Sequence, residues 1–178
     1  MSAALADRRT PRLLLERIGI RDLPDIERMQ ADAQTMATLG GVRDPAATRG
    51  MVEAWIAHWE QHGFGLWIAR DLATGAFAGR GGLKHTVVGD RPEIEVAYGF
   101  VPAFWGRGLA TELAEASVRA GFEELRLDDL VCFTLTTNRA SQRVMEKVGF
   151  AFEREVEHAN LRHRLYRLHA AAWRDLAK

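Results

Sequence analysis

Three neighbouring segments in which apolar residues recur at every second position constrain the fold of this chain more than any other feature. They span residues 64–70, 77–88 and 93–101, and the short breaks between them contain Gly75 and Gly89. Alternation with a period of two is typical of half-buried strands, and breaks of this length join antiparallel neighbours. The sequence therefore predicts a three-stranded antiparallel meander near the middle of the chain.

Helical periodicity surrounds this meander on both sides. Apolar residues recur at helical spacing over residues 22–39, 51–62, 109–124, 138–148 and 170–176. Further strands with apolar faces are predicted over residues 12–18, 130–135, 150–156 and 163–168. Because strands and helices mix along one chain, we expect an α/β (α+β) fold in which a mixed, mostly antiparallel central sheet carries helices on both faces.

Composition indicates one ordinary globular domain. The chain has 178 residues, of which 47% are hydrophobic, and 24 basic residues balance 24 acidic ones. A net charge of zero argues against a general nucleic-acid binder, whose affinity comes mainly from Lys and Arg. The apolar run at residues 13–15 is far too short to span a membrane. We therefore expect a flexible N-terminus over residues 1–10, a single domain over residues 11–178, and neither a DNA nor a membrane partner.

The chain has one cysteine, Cys132, which lies in the apolar run of residues 130–133. A solitary cysteine excludes an intrachain disulfide framework and a thiolate zinc cluster, and it suits a reducing cytoplasm. We expect Cys132 to be a buried core residue and not a catalytic thiol. The six histidines show no spacing typical of metal ligands, so no metal site is predicted, although His85 is an alternative acceptor-site residue.

The strongest local signal for chemistry is a strand that runs through a glycine turn into a helix, at residues 100–112. Gly106 and Gly108 let the backbone approach an anion closely, while Arg107 and the helix dipole favour negative charge. A dinucleotide-binding fingerprint is disfavoured because Thr111 stands where its third glycine belongs. No Gly-x-x-x-x-Gly-Lys-Ser/Thr stretch occurs, which also disfavours a P-loop nucleotide site.

Four stretches, in the right order and on the predicted elements, resemble the GNAT N-acetyltransferases. They are residues 63–67, which are similar to a segment of the RimJ/RimL-like (ribosomal-protein N-terminal acetyltransferase-like) branch, and residues 95–100, 105–112 and 138–150. The resemblance covers the chain from about residue 11 to its end. It implies the GNAT acyl-CoA N-acyltransferase fold, acetyl-CoA as the co-substrate and an amine as the acceptor.

The resemblance also implies where acetyl-CoA binds. Two central strands, residues 93–101 and 130–135, should splay apart and admit the pantetheine arm between them. The arm pairs with the edge of the first strand, the pyrophosphate rests on amides of the glycine turn, and an asparagine reaches the arm from the far side. The residues implied are Phe100, Val101, Trp105, Gly106, Arg107, Gly108, Leu109, Ala110, Thr111 and Asn138. Trp105 departs from the Gln or Arg that the wider family often has there.

Two residues are the candidates for catalysis. Period-two alternation places Glu95 on the small, acidic face of its strand, which suits a general base acting directly or through a water, although a solvated sheet residue fits the same pattern. Many GNAT enzymes use a tyrosine of the later helix to protonate the leaving thiolate, but this chain has Met145 there. In the RimJ/RimL-like branch a serine one turn earlier takes that role, which makes Ser141 either the acid or a plain surface hydroxyl. A backbone N–H near Tyr98 or Gly99 would hold the oxyanion.

The sequence thus predicts a cytoplasmic enzyme that moves an acetyl group from acetyl-CoA directly to a primary amine. The branch resemblance implies a protein N-terminal α-amine as the acceptor. A small-molecule amine or antibiotic is one alternative, and a CoA-binding module without catalysis is the alternative from another class. The chain is expected to be a monomer or a homodimer. The tryptophans Trp55, Trp59 and Trp67 are expected in the core, with the lining of an acceptor pocket as the alternative.

Overall fold

The computed structural model describes residues 4–176, in which eight strands form one open sheet. The strands are β1 (Arg8–Arg9), β2 (Leu13–Arg17), β3 (Leu66–Asp71), β4 (Phe77–Val88), β5 (Arg91–Phe100), β6 (Asp129–Leu135), β7 (Ala151–His158) and β8 (Leu161–His169). Along the sheet they follow the order β1-β2-β3-β4-β5-β6-β8-β7. The pairing of β5 with β6 is parallel and the other pairings are antiparallel, so the sheet is mixed and mostly antiparallel, as predicted.

Six α-helices accompany this sheet within the described residues. They are α1 (Leu23–Ala31), α2 (Ala33–Met36), α3 (Pro45–His62), α4 (Leu109–Arg119), α5 (Arg139–Val148) and α6 (Ala170–Leu176). One face carries α1, since a Cβ added to Gly99 would lie 3.1 Å from Met29 Cε. The other face carries α4, since a Cβ added to Gly81 would lie 2.5 Å from Leu113. None of these helices combines the length and the apolar character that a membrane crossing needs.

The single helix predicted over residues 22–39 is interrupted at Asp32. This residue has an extended backbone between α1 and α2, and its carboxylate accepts the backbone N–H of Thr35 at 2.9 Å, which caps α2. A short acidic side chain competes for backbone donors and so favours a new cap over a continuous helix. Periodicity alone conceals the break because Met29 and Met36, on either side of it, are both buried.

The N-terminal segment packs against the domain where the structure describes it. Leu5 is buried and its N–H donates to the carbonyl of Gly63 at 2.7 Å, while β1 pairs with β2 at the edge of the sheet. The expectation of a flexible segment over residues 1–10 is therefore corrected for residues 5–9, and residues 1–3 lie outside the described part of the chain. A strand of two residues is too short for periodicity to reveal it.

The predicted meander forms, and its register fixes which side chains share a face. β5 pairs with β4 along the whole length of β5 without a register shift. Tyr98 bonds Ser141 of α5, whereas Gly99 faces α1 on the other side of the sheet. The two-residue alternation predicted for β5 is therefore confirmed, because neighbouring side chains of a strand point to opposite faces.

The parallel pair β5–β6 is closed at one end by charged side chains. Arg167 of β8 donates to both carboxylate oxygens of Glu93 on β5, at 2.7 and 3.1 Å, and it also contacts Asp129 of β6 and Glu153 of β7. The Arg167 side chain is 10% exposed, so water and salt screen these ion pairs weakly. The bonds from Arg167 lower the pKa of Glu93 against the effect of burial. One arginine thus joins four neighbouring strands.

The core contains the large apolar residues that the sequence placed there. Trp59 and Trp67 are fully buried, and the Trp59 indole N–H donates to the Leu66 carbonyl at 2.7 Å. Gly65 is required beside them, because a Cβ at this position would lie 2.4 Å from the Trp59 ring. Cys132 is buried as expected, and burial raises the pKa of its thiol well above the ordinary value.

Candidate active site

A gap opens between β5 and β6 on one side of a single contact. Among the described residues these strands share one registered pair, Glu95 with Val131. Further along β5, the Val101 N–H donates to the Ala78 carbonyl on the β4 side at 3.0 Å, so its neighbour Phe100 directs its backbone groups toward the gap. An extended ligand arm that enters here meets a strand edge with which it can pair.

The cofactor edge predicted at Phe100 and Val101 is already partly bonded. The indole N–H of Trp105 donates to the Phe100 carbonyl at 2.6 Å, and the Val101 carbonyl accepts the N–H of Phe104 at 3.0 Å. Since the Val101 N–H is also bonded, the Phe100 N–H is the group of this pair that is open to a ligand. The side chain of Trp105 thus bonds one of the backbone carbonyls at this edge.

The glycine turn at the start of α4 has the geometry of an anion site. Gly106 and Gly108 have φ of +70° and +75°, a region that residues with a Cβ rarely adopt. The first amides of α4, at Leu109, Ala110 and Thr111, lack carbonyl partners inside the helix, and the helix dipole adds positive potential there. The pyrophosphate position stays a prediction, and the backbone at this turn fits it.

Two arginines surround the glycine turn. Arg107 is exposed and keeps one guanidinium nitrogen 3.5 Å from Asp71. Arg12, which the sequence analysis missed, donates to the Arg107 carbonyl at 2.6 Å and to Glu112 at 2.7 Å. Burial acts to raise the pKa of Glu112, but hydrogen bonds from Thr10 and Arg12 outweigh it and lower the pKa. Arg12 lies 95 residues from Arg107 along the chain, so only the fold reveals that it fixes the turn.

Glu95, the predicted base, is buried on β5 beside Lys84 of β4. The Lys84 ammonium lies 3.1 Å from Glu95 Oε2, yet that oxygen accepts no well-directed hydrogen bond from any described residue. A buried carboxylate oxygen with an unused lone pair is suited to receive a proton from a substrate. The position of Glu95 is therefore compatible with a base, and it does not fit a solvated sheet residue.

Ser141, the predicted acid, is held by a tyrosine from β5. The Tyr98 hydroxyl lies 2.9 Å from Ser141 Oγ and donates to the Ser141 carbonyl at 3.2 Å. Burial raises the pKa of Tyr98 well above its ordinary value, and an interaction with Cys132 adds to the rise, so the phenol stays protonated. From the sequence only the backbone of Tyr98 was a candidate for the site, although the alternation placed its side chain on the face opposite Glu95.

Asn138 begins α5 and has a structural role besides the predicted one. Its Oδ1 accepts the Ser141 N–H at 3.1 Å and caps the helix. No bond from a described residue engages the side-chain nitrogen of Asn138, and its contact with the cofactor stays a prediction. Met145, which stands where many relatives have tyrosine, is buried in the core. Ser141 is therefore the residue of α5 that directs a hydroxyl toward β5.

An arginine without an acidic partner lies on the face of the sheet that Glu95 occupies. Arg80 of β4 pairs in register with Gly99 and stacks over the Trp55 ring of α3 at 5.1 Å. No described carboxylate forms an ion pair with it, and its Nε is buried without a hydrogen bond. Burial lowers the pKa of Arg80 to about 10, while the charge of Glu95 acts to raise it. The guanidinium is therefore still charged at neutral pH and has donors for a bound ligand.

Three histidines lie together where the end of α3 meets the edge of β4, although no metal arrangement of histidines was expected from the sequence. His58 and His62 of α3 and His85 of β4 each place one ring nitrogen within 4.8 Å of the others. Burial lowers the pKa of both His58 and His85. The spacing of four residues within α3 was a usable signal. The third histidine comes from another element, so the sequence alone does not bring it to the pair.

Comparison with known families and curated proteins finds similar sequences over most of the chain. The family model described as "Acetyltransferase (GNAT) domain" matches residues 12–151. The chain is 29% identical over 160 residues to the uncharacterized protein YkkB of Bacillus subtilis (strain 168). That alignment covers 84% of this chain and 90% of YkkB, so the likeness extends over nearly the whole of both proteins.

Solved acetyltransferase structures share the fold. The acetyltransferase from Agrobacterium tumefaciens str. C58 has a TM-score of 0.82 at 27% identity, with 95% of this chain and 97% of that chain covered. Two structures at 15% identity show the fold alone. They are the ribosomal-protein-S5-alanine acetyltransferase from Vibrio fischeri (TM-score 0.74, coverage 95% and 99%) and the spermidine N-acetyltransferase from Vibrio cholerae in complex with CoA and spermine (0.71, 90% and 97%). Because the acceptors of these two proteins differ, the shared fold does not select an acceptor.

Proposed function

Because this chain belongs to the GNAT acetyltransferase family and is an acetyl-CoA-dependent N-acetyltransferase, we propose that its acceptor is the α-amine of a peptide or protein N-terminus. The observation that carries the acceptor assignment is the buried Arg80 on the face of the sheet that Glu95 occupies, and the polar groups around β5 supply the chemistry. Glu95 lies on one face of this strand, and Tyr98 with its partner Ser141 lies on the other. The gap toward β6 lies beside both faces, so an amine arriving at Glu95 meets an acyl group held in the gap.

The residues of this chain supply the proton transfers of the reaction. Acetyl-CoA brings the acetyl group as a thioester. The amine nitrogen bonds to the carbonyl carbon, the carbon–sulfur bond breaks, and CoA leaves as a thiol. Glu95 takes the proton that the amine loses, directly or through a water. The hydrogen bond to Tyr98 orients the Ser141 hydroxyl, which delivers a proton to the sulfur as it takes one from solvent. Glu95 then releases its proton to solvent, so both residues are restored.

Arg80 favours an acceptor that carries a carbonyl or carboxylate as well as its amine. It is a buried cation with unused donors, on the same face of the sheet as Glu95 and four positions further along it, so a peptide whose amine reaches Glu95 would offer Arg80 a carbonyl. A polyamine would bring a further cation next to Arg80 and is disfavoured by like-charge repulsion. An α-amine with a pKa of about 8 is partly free at pH 7, whereas a lysine near 10.4 is free only on the order of one part in 10³.

Thiol release from acetyl-CoA, measured with a panel of acceptors, tests the proposal. We expect turnover with a peptide that has a free N-terminus, and much lower turnover with spermidine or with a blocked peptide that contains lysine. Arg80→Met should raise the KM for the peptide by roughly tenfold or more, because a charge-assisted hydrogen bond is lost. The exposed Arg119→Met is the matched control and should leave that KM unchanged. Preference for spermidine, or a KM unaffected by Arg80→Met, would contradict the acceptor assignment.

The alternatives from the sequence give different results in the same assay. A free amino acid or another small amine with a carboxylate would also satisfy Arg80, so the panel includes free amino acids. A CoA-binding module without catalysis would bind acetyl-CoA in a calorimetric titration and release no thiol with any acceptor. The RimJ/RimL-like branch, a ribosomal protein as the acceptor, a monomer or homodimer and a cytoplasmic location stay predictions of the sequence.

A further inference from the structure

A cluster of three histidines lies where the end of α3 meets β4. Its members are His58, His62 and His85, and no step of the proposed acetyl transfer uses them. His58 and His62 are four residues apart in α3 and therefore lie on one face of the helix. His85 belongs to β4. One ring nitrogen of each residue lies within 4.8 Å of the other two. Three imidazole donors from two elements thus converge on one point.

A hydrogen bond fixes which nitrogen of His58 is free for a ligand. His58 Nδ1 lies 2.9 Å from the Phe64 carbonyl, which is only an acceptor, so Nδ1 carries the proton. Nε2 therefore presents a lone pair, 3.1 Å from His85 Nδ1 and also 3.1 Å from the His85 backbone nitrogen. A backbone carbonyl that holds the far nitrogen of a histidine is the support that metal-binding histidines generally have.

The Phe64 ring also packs against the three histidine rings. Its side chain is buried, and its ring centroid lies 5.2 Å from those of His58 and His85 and 6.0 Å from that of His62. The imidazoles contact each other as well, with centroids 4.3 Å apart for His62 and His85. Rings held together in this way lose less side-chain freedom when they bind an ion.

The donor set indicates the class of ion. Imidazole nitrogens suit Zn²⁺, Cu²⁺ and Ni²⁺, whereas Mg²⁺ and Ca²⁺ prefer oxygen ligands, and the cluster contains no carboxylate among the described residues. Lys84, the nearest cation along β4, has its ammonium 3.1 Å from Glu95 Oε2, so its charge is largely balanced there. Three histidines with an open fourth position are a typical zinc arrangement.

We propose that His58, His62 and His85 bind one Zn²⁺ ion, with water as the fourth ligand. Zinc–nitrogen bonds of about 2.0–2.1 Å would set tetrahedral nitrogens about 3.4 Å apart. The nitrogens are within 4.8 Å already, and small rotations of the side chains close the remaining distance. The His85 N–H gives up its contact with His58 Nε2 when the ion takes that lone pair. The ion would join the end of α3 to β4 and so stabilise the folded chain.

Calorimetric titration of the untagged, chelator-treated protein with Zn²⁺ tests this site. We expect one ion per chain with a Kd in the micromolar range or tighter, and a rise in Tm with Zn²⁺ that Mg²⁺ does not produce. Co²⁺ in place of Zn²⁺ should give the intense visible absorption of a tetrahedral site. These readouts do not involve acetyl transfer, so the proposal stands or falls independently of the proposed function.

Variants of the ligands make the test specific. His62→Gln and His85→Gln should each weaken Zn²⁺ binding by at least roughly tenfold and remove the Co²⁺ absorption. His169→Gln, which changes an exposed histidine of β8, should leave both unchanged. Thermal unfolding without metal establishes that each variant is folded. Zn²⁺ binding by the wild type no tighter than by His85→Gln would overturn the proposal and leave the cluster as a packing arrangement only.

Discussion

The two ends of the β5–β6 pair are built in opposite ways. At the closed end Arg167 bonds Glu93 and contacts Asp129 and Glu153, so one guanidinium joins carboxylates of three strands to its own strand. At the open end, beyond Glu95, β5 directs backbone groups into a gap, and the glycine turn presents amides with no helical partner. Satisfied polar groups hold the closed end together, whereas groups left without partners equip the open end to bind a ligand.

Two glutamates on one face of β5 show what this difference means. Glu93 and Glu95 are both 8% exposed. Glu93 accepts two hydrogen bonds from Arg167, which offset the cost of burying its charge. Glu95 Oε2 is near Lys84 but accepts no well-directed hydrogen bond, so the free-energy cost of burying its charge is only partly offset. A glutamate that stabilises the fold and a glutamate suited to catalysis thus lie only two positions apart on one strand.

Arg167→Met tests the closed end and should have the largest effect. The change removes the cation that joins four strands and leaves the buried Glu93 without its partner. Breaking a buried pair in this way costs about 3–5 kcal/mol of unfolding free energy. Urea unfolding at pH 7 measures the loss, and the exposed Arg162→Met should stay within about 1 kcal/mol of the wild type. A loss as small as that of the control would show that charge does not hold this end.

Glu95→Gln tests the open end and should lower catalytic activity while leaving stability nearly unchanged. Loss of the base should lower kcat by roughly 10²–10⁴, while the unfolding free energy changes by less than about 1 kcal/mol. Glu93→Gln is the matched variant and should show the reverse, with a loss of stability and a kcat within a few fold of the wild type. Thiol-release kinetics and urea unfolding of both variants measure the contrast. Equal effects of the two changes on kcat would show that Glu95 has no catalytic role that Glu93 lacks.

Ser141→Ala and Tyr98→Phe examine the other face of the open end. Each removes one hydroxyl of a hydrogen-bonded pair, and each should lower kcat by roughly tenfold. Because the two groups act together, the double variant should lose little more than either single variant. Steady-state kinetics at saturating acetyl-CoA measure the three values. Fully additive losses would indicate that Tyr98 does not act through Ser141.

Acid unfolding should show the smallest effect and belongs to the closed end. The bonds of Arg167 lower the folded-state pKa of Glu93, so ionised Glu93 stabilises the fold above its unfolded pKa of about 4.3. This contribution is lost as the pH falls through the lower folded pKa. Stability measured by urea unfolding from pH 6 to pH 3 should therefore decline less steeply in Glu93→Gln than in the wild type. Identical slopes would mean that Glu93 has the same pKa in both states.

Local patterns predicted most of the fold and part of the candidate site. The alternation along β5 placed Glu95 and Tyr98 on opposite faces, because side-chain direction in a strand depends only on position along it. The helical break at Asp32 was missed, since its capping bond to Thr35 competes with a periodicity that continues through it. The bonding of the Val101 backbone was also missed, because it depends on which neighbour the strand pairs with.

The sequence by itself determined the order of the longer strands and helices, the family resemblance, the glycine turn and the strand or helix on which Glu95 and Ser141 lie. Only the tertiary structure decided which distant side chains meet. Arg167 lies 74 residues from Glu93, Tyr98 lies 43 from Ser141, and the two elements that carry the histidine cluster are joined through β3. Spacing along a chain fixes the direction of side chains within one element, but contacts between elements depend on how the whole sheet and its helices pack.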